Sequence, residues 1–325
     1  MKIAVIDDYQ DAFRRLSSFG RLEGHEVVVF NEPEKDLAKI TGRLAAAGAE
    51  ALVLTQQRTR IPRSLIERLP KLKLISQTGA HTGHIDLAAC TERGILVSAG
   101  GGGNPNPTAE LTWGLILAAL RHIPFEAAQL RSGRWQSTLG EGLKGRTLGV
   151  YAFGKIGSRV AAVGAAFGMN VVCWGREGSR KRAQDAGFAI APGREAFFEL
   201  VDVLCLHLPL NAETRGIVSA ADLARMKPSA LLVNTSRAGI IAEGALAAAL
   251  KAGRPGSAAV DVYEDEPVLG GDHPLLKRDN ALCTPHLGYV TRENYESYYA
   301  TVIDQILGFA AGAPINVVNP QVIKK

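Results

Sequence analysis

The chain is poor in the features that mark membrane, disulfide-rich and nucleic-acid-binding proteins. Aromatic residues make up only 6% of its 325 residues. Its four cysteines, Cys90, Cys173, Cys205 and Cys283, show no C-x-x-C spacing, which argues against a zinc site and a disulfide framework. Three of them sit inside apolar, strand-like runs, where a free thiol behaves as a small buried hydrophobe. No apolar run approaches the roughly 20 residues that a membrane helix requires, so no membrane partner is expected. The formal charge of +5 is slight for this length. Basic residues are scattered except between Arg176 and Arg182, so no nucleic-acid partner is expected either. Met1-Lys2-Ile3-Ala4-Val5-Ile6-Asp7-Asp8 reads as a strand followed by acids, not as a signal peptide, which points to a cytoplasmic protein.

What is present is an alternation of short apolar runs and amphipathic stretches. A length of 325 residues suggests two domains rather than one core, and an apolar content of 46% with 21% charge suits a globular α/β protein. In the first part, strands are expected at Lys2–Ile6, Glu26–Phe30, Ala51–Leu54, Leu72–Ser76 and Ile95–Val97. Helices are expected around Ala12–Gly20, Asp36–Ala47, Ser64–Leu69 and Asp86–Arg93. Such alternation predicts a parallel sheet covered on both faces. Gly100-Gly101-Gly102-Gly103-Asn104-Pro105-Asn106-Pro107 breaks all regular structure and reads as a hinge. Thr108 to Arg121 follows as a largely apolar helix, with Thr108 as its N-cap, Glu110 in its first turn and a girth suited to a domain or dimer interface. Further strands are expected at Val203–Leu206, Ala230–Val233, Ala258–Val260 and Ala281–Cys283, with helices at Ala220–Met226 and Gly244–Ala252. A last helix, Thr291 to Ala311, and an extended tail, Pro314 to Pro320, must return to the first block. The expected layout is therefore a discontinuous substrate domain, residues 1–99 and 290–325, and a dinucleotide-binding domain, residues 100–289.

The second domain opens on a recognisable unit. Leu148-Gly149-Val150-Tyr151 reads as a buried strand, Ala152-Phe153-Gly154-Lys155-Ile156-Gly157 turns into a helix, and Asn170-Val171-Val172-Cys173-Trp174 reads as the next parallel strand. Strand, glycine turn, helix and strand within about thirty residues make the mononucleotide-binding half of a Rossmann fold. The helix start offers unpaired N–H groups and a positive dipole end to a pyrophosphate. Gly154 lets the backbone approach the phosphates, and Gly157 lets the helix pack on the strand. Ala152 replaces the first glycine of the fingerprint, so this turn is expected to stay out of the positive-φ region. The alternative is a parallel α/β unit that binds nothing.

Three loops that follow expected strands hold the candidates for chemistry: Asn234-Thr235-Ser236-Arg237, Asp261-Val262-Tyr263-Glu264-Asp265-Glu266-Pro267 and Thr284-Pro285-His286-Leu287-Gly288. All lie at carboxyl ends of strands, where open parallel sheets bind ligands. An arginine grips a carboxylate with two prongs and polarises the adjacent carbonyl. A histidine titrates near neutrality and can give or take a hydroxyl proton. A glutamate bonded to it favours the charged ring and fixes its orientation. Taken singly, Arg237 reads rather as a surface or ion-pair arginine, Glu266 as a solvated acid and His286 as a capping or structural histidine. Three such loops behind a dinucleotide turn favour hydride transfer.

These residues, together with Leu206-His207-Leu208-Pro209-Leu210 and Thr214, resemble the D-isomer-specific 2-hydroxyacid dehydrogenase family over nearly the whole chain. The resemblance implies two doubly wound parallel-sheet domains, one Rossmann-type and one flavodoxin-like. It implies that Arg237 binds the substrate carboxylate and carbonyl, that His286 is the acid/base and that Glu266 pairs with His286. The cofactor would meet Phe153, Gly154, Lys155, Ile156, Gly157, Trp174, Gly175, Arg176, His207, Leu208, Pro209, Thr214, Thr235, Ser236, Asp261 and Gly288, with Asp261 and the Thr235 backbone on its nicotinamide side. Gln77-Thr78-Gly79-Ala80-His81-Thr82-Gly83-His84-Ile85-Asp86 matches the substrate loop, which assigns Gly79, Ala80 and His81 to the substrate. A small 2-hydroxy or 2-keto acid substrate and a homodimer are implied as well.

The chain departs from the family pattern at Ala152, at His81 where the loop usually has glycine, at Tyr289, and at Gly175. Gly175 stands where NAD-preferring members carry the acid that holds the ribose diol. Arg176, Ser179, Arg180, Lys181 and Arg182 follow, and their guanidinium and hydroxyl groups suit a 2′-phosphate, so NADP is expected over NAD. The same run also reads as a solvated helix start, and Glu177 could still reach a ribose. Trp135 reads either as a lid on the cleft or as core. Formate oxidation is disfavoured by Glu266, where formate enzymes of the superfamily carry glutamine. The alternative from another class is a nucleotide-sensing scaffold of the corepressor type.

Overall fold

The computed structural model describes residues 1–323. Among them the chain divides into two compact units, Met1–Asn104 joined by the segment from Thr291 onward, and Pro105–Val290. Both have a wholly parallel sheet, and the central strands of each are short, largely apolar runs buried along their whole length.

The first unit contains β1 (Lys2–Ile6), β2 (Glu26–Val29), α1 (Leu37–Ala47), β3 (Ala51–Leu54), α2 (Arg63–Ile66), β4 (Leu74–Thr78), α3 (Leu87–Glu92) and β5 (Leu96–Gly100). Its strand order is β2-β1-β3-β4-β5, the flavodoxin-like order. Asp36 caps α1 by accepting from Ala38 N at 2.8 Å, and Asp86 caps α3 by accepting from Ala89 N at 2.8 Å. The helix expected over Ala12–Gly20 is instead two short 3-10 turns, Phe13–Arg15 and Ser17–Leu22, because Leu16 between them is extended with ψ 148°.

The second unit contains α4 (Asn106–Leu120), α5 (Ile123–Arg131), β6 (Thr147–Tyr151), α6 (Gly157–Ala166), β7 (Asn170–Trp174), α7 (Glu177–Asp185), β8 (Ala189–Ile190), α8 (Arg194–Leu200), β9 (Val203–Leu206), α9 (Ala220–Arg225), β10 (Leu231–Asn234), α10 (Ala245–Ala252), β11 (Ser257–Val260) and β12 (Ala281–Cys283). The order β12-β11-β10-β9-β6-β7-β8 is the doubly wound Rossmann arrangement, and its switch point lies between β6 and β9. Ligands of such sheets bind outside the carboxyl ends at that crevice, next to the turn after β6 and the loop after β9.

Two expectations for α4 need correction. The helix starts at Asn106, two residues earlier than expected, so Thr108 is not its cap and Glu110 lies beyond its first turn. Pro107 suits the first turn because its missing N–H would have no helical acceptor there. The apolar girth of α4 is also explained within the unit. Ala109, Trp113, Ile116 and Leu120 belong to the core that includes Val160, Leu231 and Ala259, so α4 packs on α6, β10 and β11.

The chain then returns to the first unit through α11 (Arg292–Ala310), which packs on β4 and buries Tyr295, Tyr299, Val302, Ile303 and Ile306. The tail runs antiparallel beside β5, with Ala99 N donating to Asn316 O at 3.0 Å and Val318 N donating to Val97 O at 2.8 Å. It covers a sheet edge that would otherwise expose unpaired backbone groups.

Candidate functional site

The turn after β6 leaves backbone donors open, as a diphosphate site would require. Among the described residues, the backbone N–H groups of Gly154, Lys155 and Ile156 meet no acceptor. A side chain at Gly154 would meet nothing within 4 Å, so the backbone there is open to a ligand. A side chain at Gly157 would overlap Ala152 O, so only glycine lets α6 start this close to β6. Ala152 itself has φ +78°, contrary to the ordinary backbone expected for alanine. Its N–H donates to Trp174 O at 2.8 Å, which continues the β6–β7 pairing. The chain must reverse immediately afterwards, and the left-handed conformation does this at a cost of about 1 kcal/mol for a non-glycine residue.

The residues after β7 are only partly available to a ligand. Residues 177–185 form α7 rather than one short loop, with Arg176 as N-cap. The Ser179 hydroxyl accepts from Phe153 N at 2.6 Å, and Arg182 Nε donates to Phe153 O at 3.2 Å. Both therefore support the turn after β6 from behind. Phe153 is buried and its N–H is taken. Lys181 pairs with Asp185 at 3.1 Å, and the Arg180 guanidinium lies over the Trp174 ring at 5.1 Å. Arg176 stays exposed, in a surface ion pair with Glu213. Gly175 carries no side chain toward this edge.

After β9, His207 Nε2 is buried without a partner, and burial pushes the imidazole down to about 4, so the ring is neutral at pH 7. The Thr214 hydroxyl donates to Pro209 O at 2.6 Å and accepts from Asn211 N at 2.9 Å. It thus closes the loop that presents Leu208 and Pro209.

The three expected loops are built as one polar layer. Glu266 Oε2 lies 2.6 Å from His286 Nδ1, and Glu266 Oε1 accepts from Tyr263 N at 2.8 Å. The ring is thereby held through one nitrogen, while Nε2 has no partner among the described residues. His286 takes φ +53°, a left-handed position that histidine tolerates better than branched residues. Asp261 is fully buried. Its Oδ1 accepts from the Thr284 hydroxyl at 2.6 Å and from Leu287 N at 2.7 Å, and its Oδ2 accepts from Gly288 N at 2.8 Å. Burial still raises its carboxyl above the usual range, outweighing these three donors. Arg237 is exposed, and one guanidinium nitrogen donates to Ser236 O at 2.7 Å, leaving most of the fork open. Buried Asn234 brackets its turn, accepting from Ser236 N and donating to Arg237 O, each at 3.0 Å. Ser236 is anchored to Leu208 O.

In the first unit, the loop after β4 begins at Gly79, with φ +83° and its N–H donating to Gly100 O at 2.9 Å. Ala80 and His81 are exposed, and their N–H groups meet no acceptor among the described residues. His84 is a different case: both ring nitrogens are buried without partners, and burial pushes it down to about 4. In the second unit Trp135 is 76% exposed and belongs to no core, which corrects the core alternative. Asn234, though part of a candidate loop, was given no role of its own, and Thr112 was not singled out, since neither residue type at a strand end or in a helix marks a site. Only their burial and bonding do.

A flavodoxin-like sheet and a Rossmann sheet, the second with an open glycine turn after β6 and a histidine–carboxylate pair at its carboxyl edge, define a dinucleotide-binding α/β protein of the oxidoreductase type. Residues 113–288 match the D-isomer specific 2-hydroxyacid dehydrogenase, NAD binding domain. The chain is 36% identical over 323 residues to the D-3-phosphoglycerate dehydrogenase of Methanocaldococcus jannaschii, covering 98% of this chain but 59% of that protein's length. It is 37% identical over 275 residues to the glyoxylate reductase of Aeropyrum pernix, with 82% of each chain covered. The crystal structure of a phosphoglycerate oxidoreductase from Vibrio cholerae superposes with a TM-score of 0.92 at 48% identity, covering 96% of this chain and 100% of that one. The chain belongs to the D-isomer specific 2-hydroxyacid dehydrogenase family, whose nucleotide domain indicates a nicotinamide dinucleotide cofactor.

Proposed function

We propose that the protein interconverts a small D-2-hydroxy acid and the corresponding 2-keto acid. The observation that carries this reading is the 2.6 Å contact between Glu266 and His286 Nδ1, which leaves Nε2 to exchange a proton with the substrate oxygen. Glu266 fixes the ring and balances its charge once protonated. Arg237 receives the carboxylate and the neighbouring carbonyl in its open fork. In the first unit, the exposed Gly79-Ala80-His81 segment, which matches the family's substrate loop, has the N–H groups of Ala80 and His81 open to an anionic group. The amides of Gly154, Lys155 and Ile156 suit the cofactor diphosphate, with Gly157, Trp174, His207, Leu208, Pro209, Thr235, Ser236 and Gly288 lining its course. When bound, the nicotinamide supplies or accepts the hydride. A panel of 2-keto acids that includes glyoxylate, followed through cofactor absorbance, tests the reading. Absence of turnover with every acid and both dinucleotides would overturn it.

We infer NADP as the preferred dinucleotide. The support is Gly175, which removes the carboxylate that would repel a 2′-phosphate, beside an exposed Arg176. Its pair with Glu213 lies at the surface, where an ion pair contributes little and yields readily to a phosphate. Arg176→Ala is expected to weaken NADPH by roughly 10- to 100-fold, the value of a charge-assisted hydrogen bond, while NADH changes little. Equal losses for both, measured by fluorescence titration, would remove the assignment.

We further infer a homodimer. No residue of α5 is buried. Ile123, Phe125 and Leu130 are exposed on it, followed by Trp135 and by Leu139, which is 95% exposed. A patch of this kind marks an interaction surface, and the family resemblance points to a second copy. Light scattering should return twice the chain mass of 34.6 kDa. Ile123→Glu combined with Phe125→Glu should return a monomer.

A further inference from the structure

Two threonines of α4 hold both the His286 turn and the Arg237 turn. Thr108 Oγ1 donates to Gly288 O at 2.8 Å. Thr112 Oγ1 donates to Thr108 O at 2.8 Å and lies 2.8 Å from Thr235 Oγ1. A carbonyl only accepts, and a threonine hydroxyl carries one proton. The Thr112 proton is therefore committed to Thr108 O, and Thr235 must be the donor in the third bond. Thr112 and Thr235 are both buried, so water does not compete for these bonds.

A threonine that returns its proton to the carbonyl four residues back is ordinary in helices. The ends of this chain of bonds are not. One end is Thr235, two residues before Arg237. The other is the Gly288 peptide, two residues after His286. Gly288 is pinned on both sides, its N–H donating to Asp261 Oδ2 at 2.8 Å and its carbonyl accepting from Thr108 Oγ1. The fit is close, since a side chain at Gly288 would meet Asp261 Oδ2 at 3.3 Å and the Thr108 methyl at 3.4 Å.

We propose that Thr112 and Thr108 are positioning residues that set the spacing between the carboxylate grip at Arg237 and the proton donor at His286. The proposal rests on the oxidoreductase reading above. A strut of short bonds through one helix turn transmits any shift of one loop to the other. Displacing a reacting group by about 1 Å can cost on the order of 100-fold in rate.

The test compares Thr112→Val, which keeps the branched shape without the hydroxyl, with Thr112→Ser, which keeps the hydroxyl, and adds Thr108→Val at the other end. Steady-state kinetics use the 2-keto acid that the wild type turns over fastest. Hydrogen exchange is followed at Leu287 and Gly288. Thr112→Val is expected to lower kcat by roughly 10- to 100-fold with little change in KM, Thr112→Ser to restore most of it, and Thr108→Val to speed exchange at Gly288. Wild-type kcat in Thr112→Val, or a Thr112→Ser variant as slow as the valine, would overturn the proposal. If the wild type turned over no keto acid, the oxidoreductase reading would fall. Exchange would then decide the strut alone, unchanged rates in both valine variants overturning it.

Discussion

His286→Ala is expected to lower turnover by roughly 100- to 10,000-fold, the contribution of a positioned general acid, while cofactor affinity stays near that of the wild type. The ring is bonded to Glu266 through Nδ1 and packs edge-on against Tyr289, and the open amides of Gly154, Lys155 and Ile156 lie in a different loop. Removing the imidazole therefore takes away the proton and leaves the nucleotide turn intact. Glu266→Gln serves as the partial case. It keeps the shape and an acceptor for Nδ1 but removes the charge that balances the protonated ring, so its loss should be smaller than that of His286→Ala. Stopped-flow single turnovers separate the chemical step from binding. Wild-type turnover in His286→Ala would remove the histidine from the mechanism, and a Glu266→Gln variant equal to wild type would separate the two residues.

The strands were readable because most are short, continuous apolar runs. Ala51–Leu54, Val203–Leu206 and Ala281–Cys283 lie where the apolar residues place them. Arg237, Glu266 and His286 were readable as candidates because each follows such a run, and carboxyl ends of parallel strands converge. The pairing of Glu266 with His286 has its physical basis in the β11–β12 neighbourhood, which brings loops twenty residues apart side by side. Helix α5 was not readable, since a helix that buries nothing leaves no apolar periodicity. The turn at Ala152 was misread because its backbone is dictated by pairing with Trp174, not by alanine's own preference. The support that Ser179 and Arg182 give to the turn was not readable for a similar reason. Their partner, Phe153, lies 26 and 29 residues away, and polar composition alone gives a solvent-facing phosphate ligand and a turn support the same signature.

Arg237→Lys is expected to lower kcat/KM by roughly 10- to 100-fold, the value of one charge-assisted hydrogen bond lost from a bidentate pair. The charge survives, but an ammonium is a point donor on a flexible stem and cannot span both carboxylate oxygens. Arg237 is suited to the two-pronged role because one guanidinium nitrogen is anchored on Ser236 O at 2.7 Å, and Asn234 holds the backbone of the turn at Arg237 O. The fork is thus aimed before substrate arrives, and lysine would lose that aim as well as the second prong. The effect should fall on both KM and kcat if, as proposed, the same group holds the carboxylate and polarises the carbonyl. Dinucleotide affinity should be unchanged, because the turn itself is held by Asn234 and Ser236 rather than by the guanidinium. Isothermal titration with NADPH, set beside the kinetics, separates the two sites. A matching loss of dinucleotide affinity would reassign Arg237 to the cofactor and leave the substrate carboxylate to the Gly79-Ala80-His81 segment.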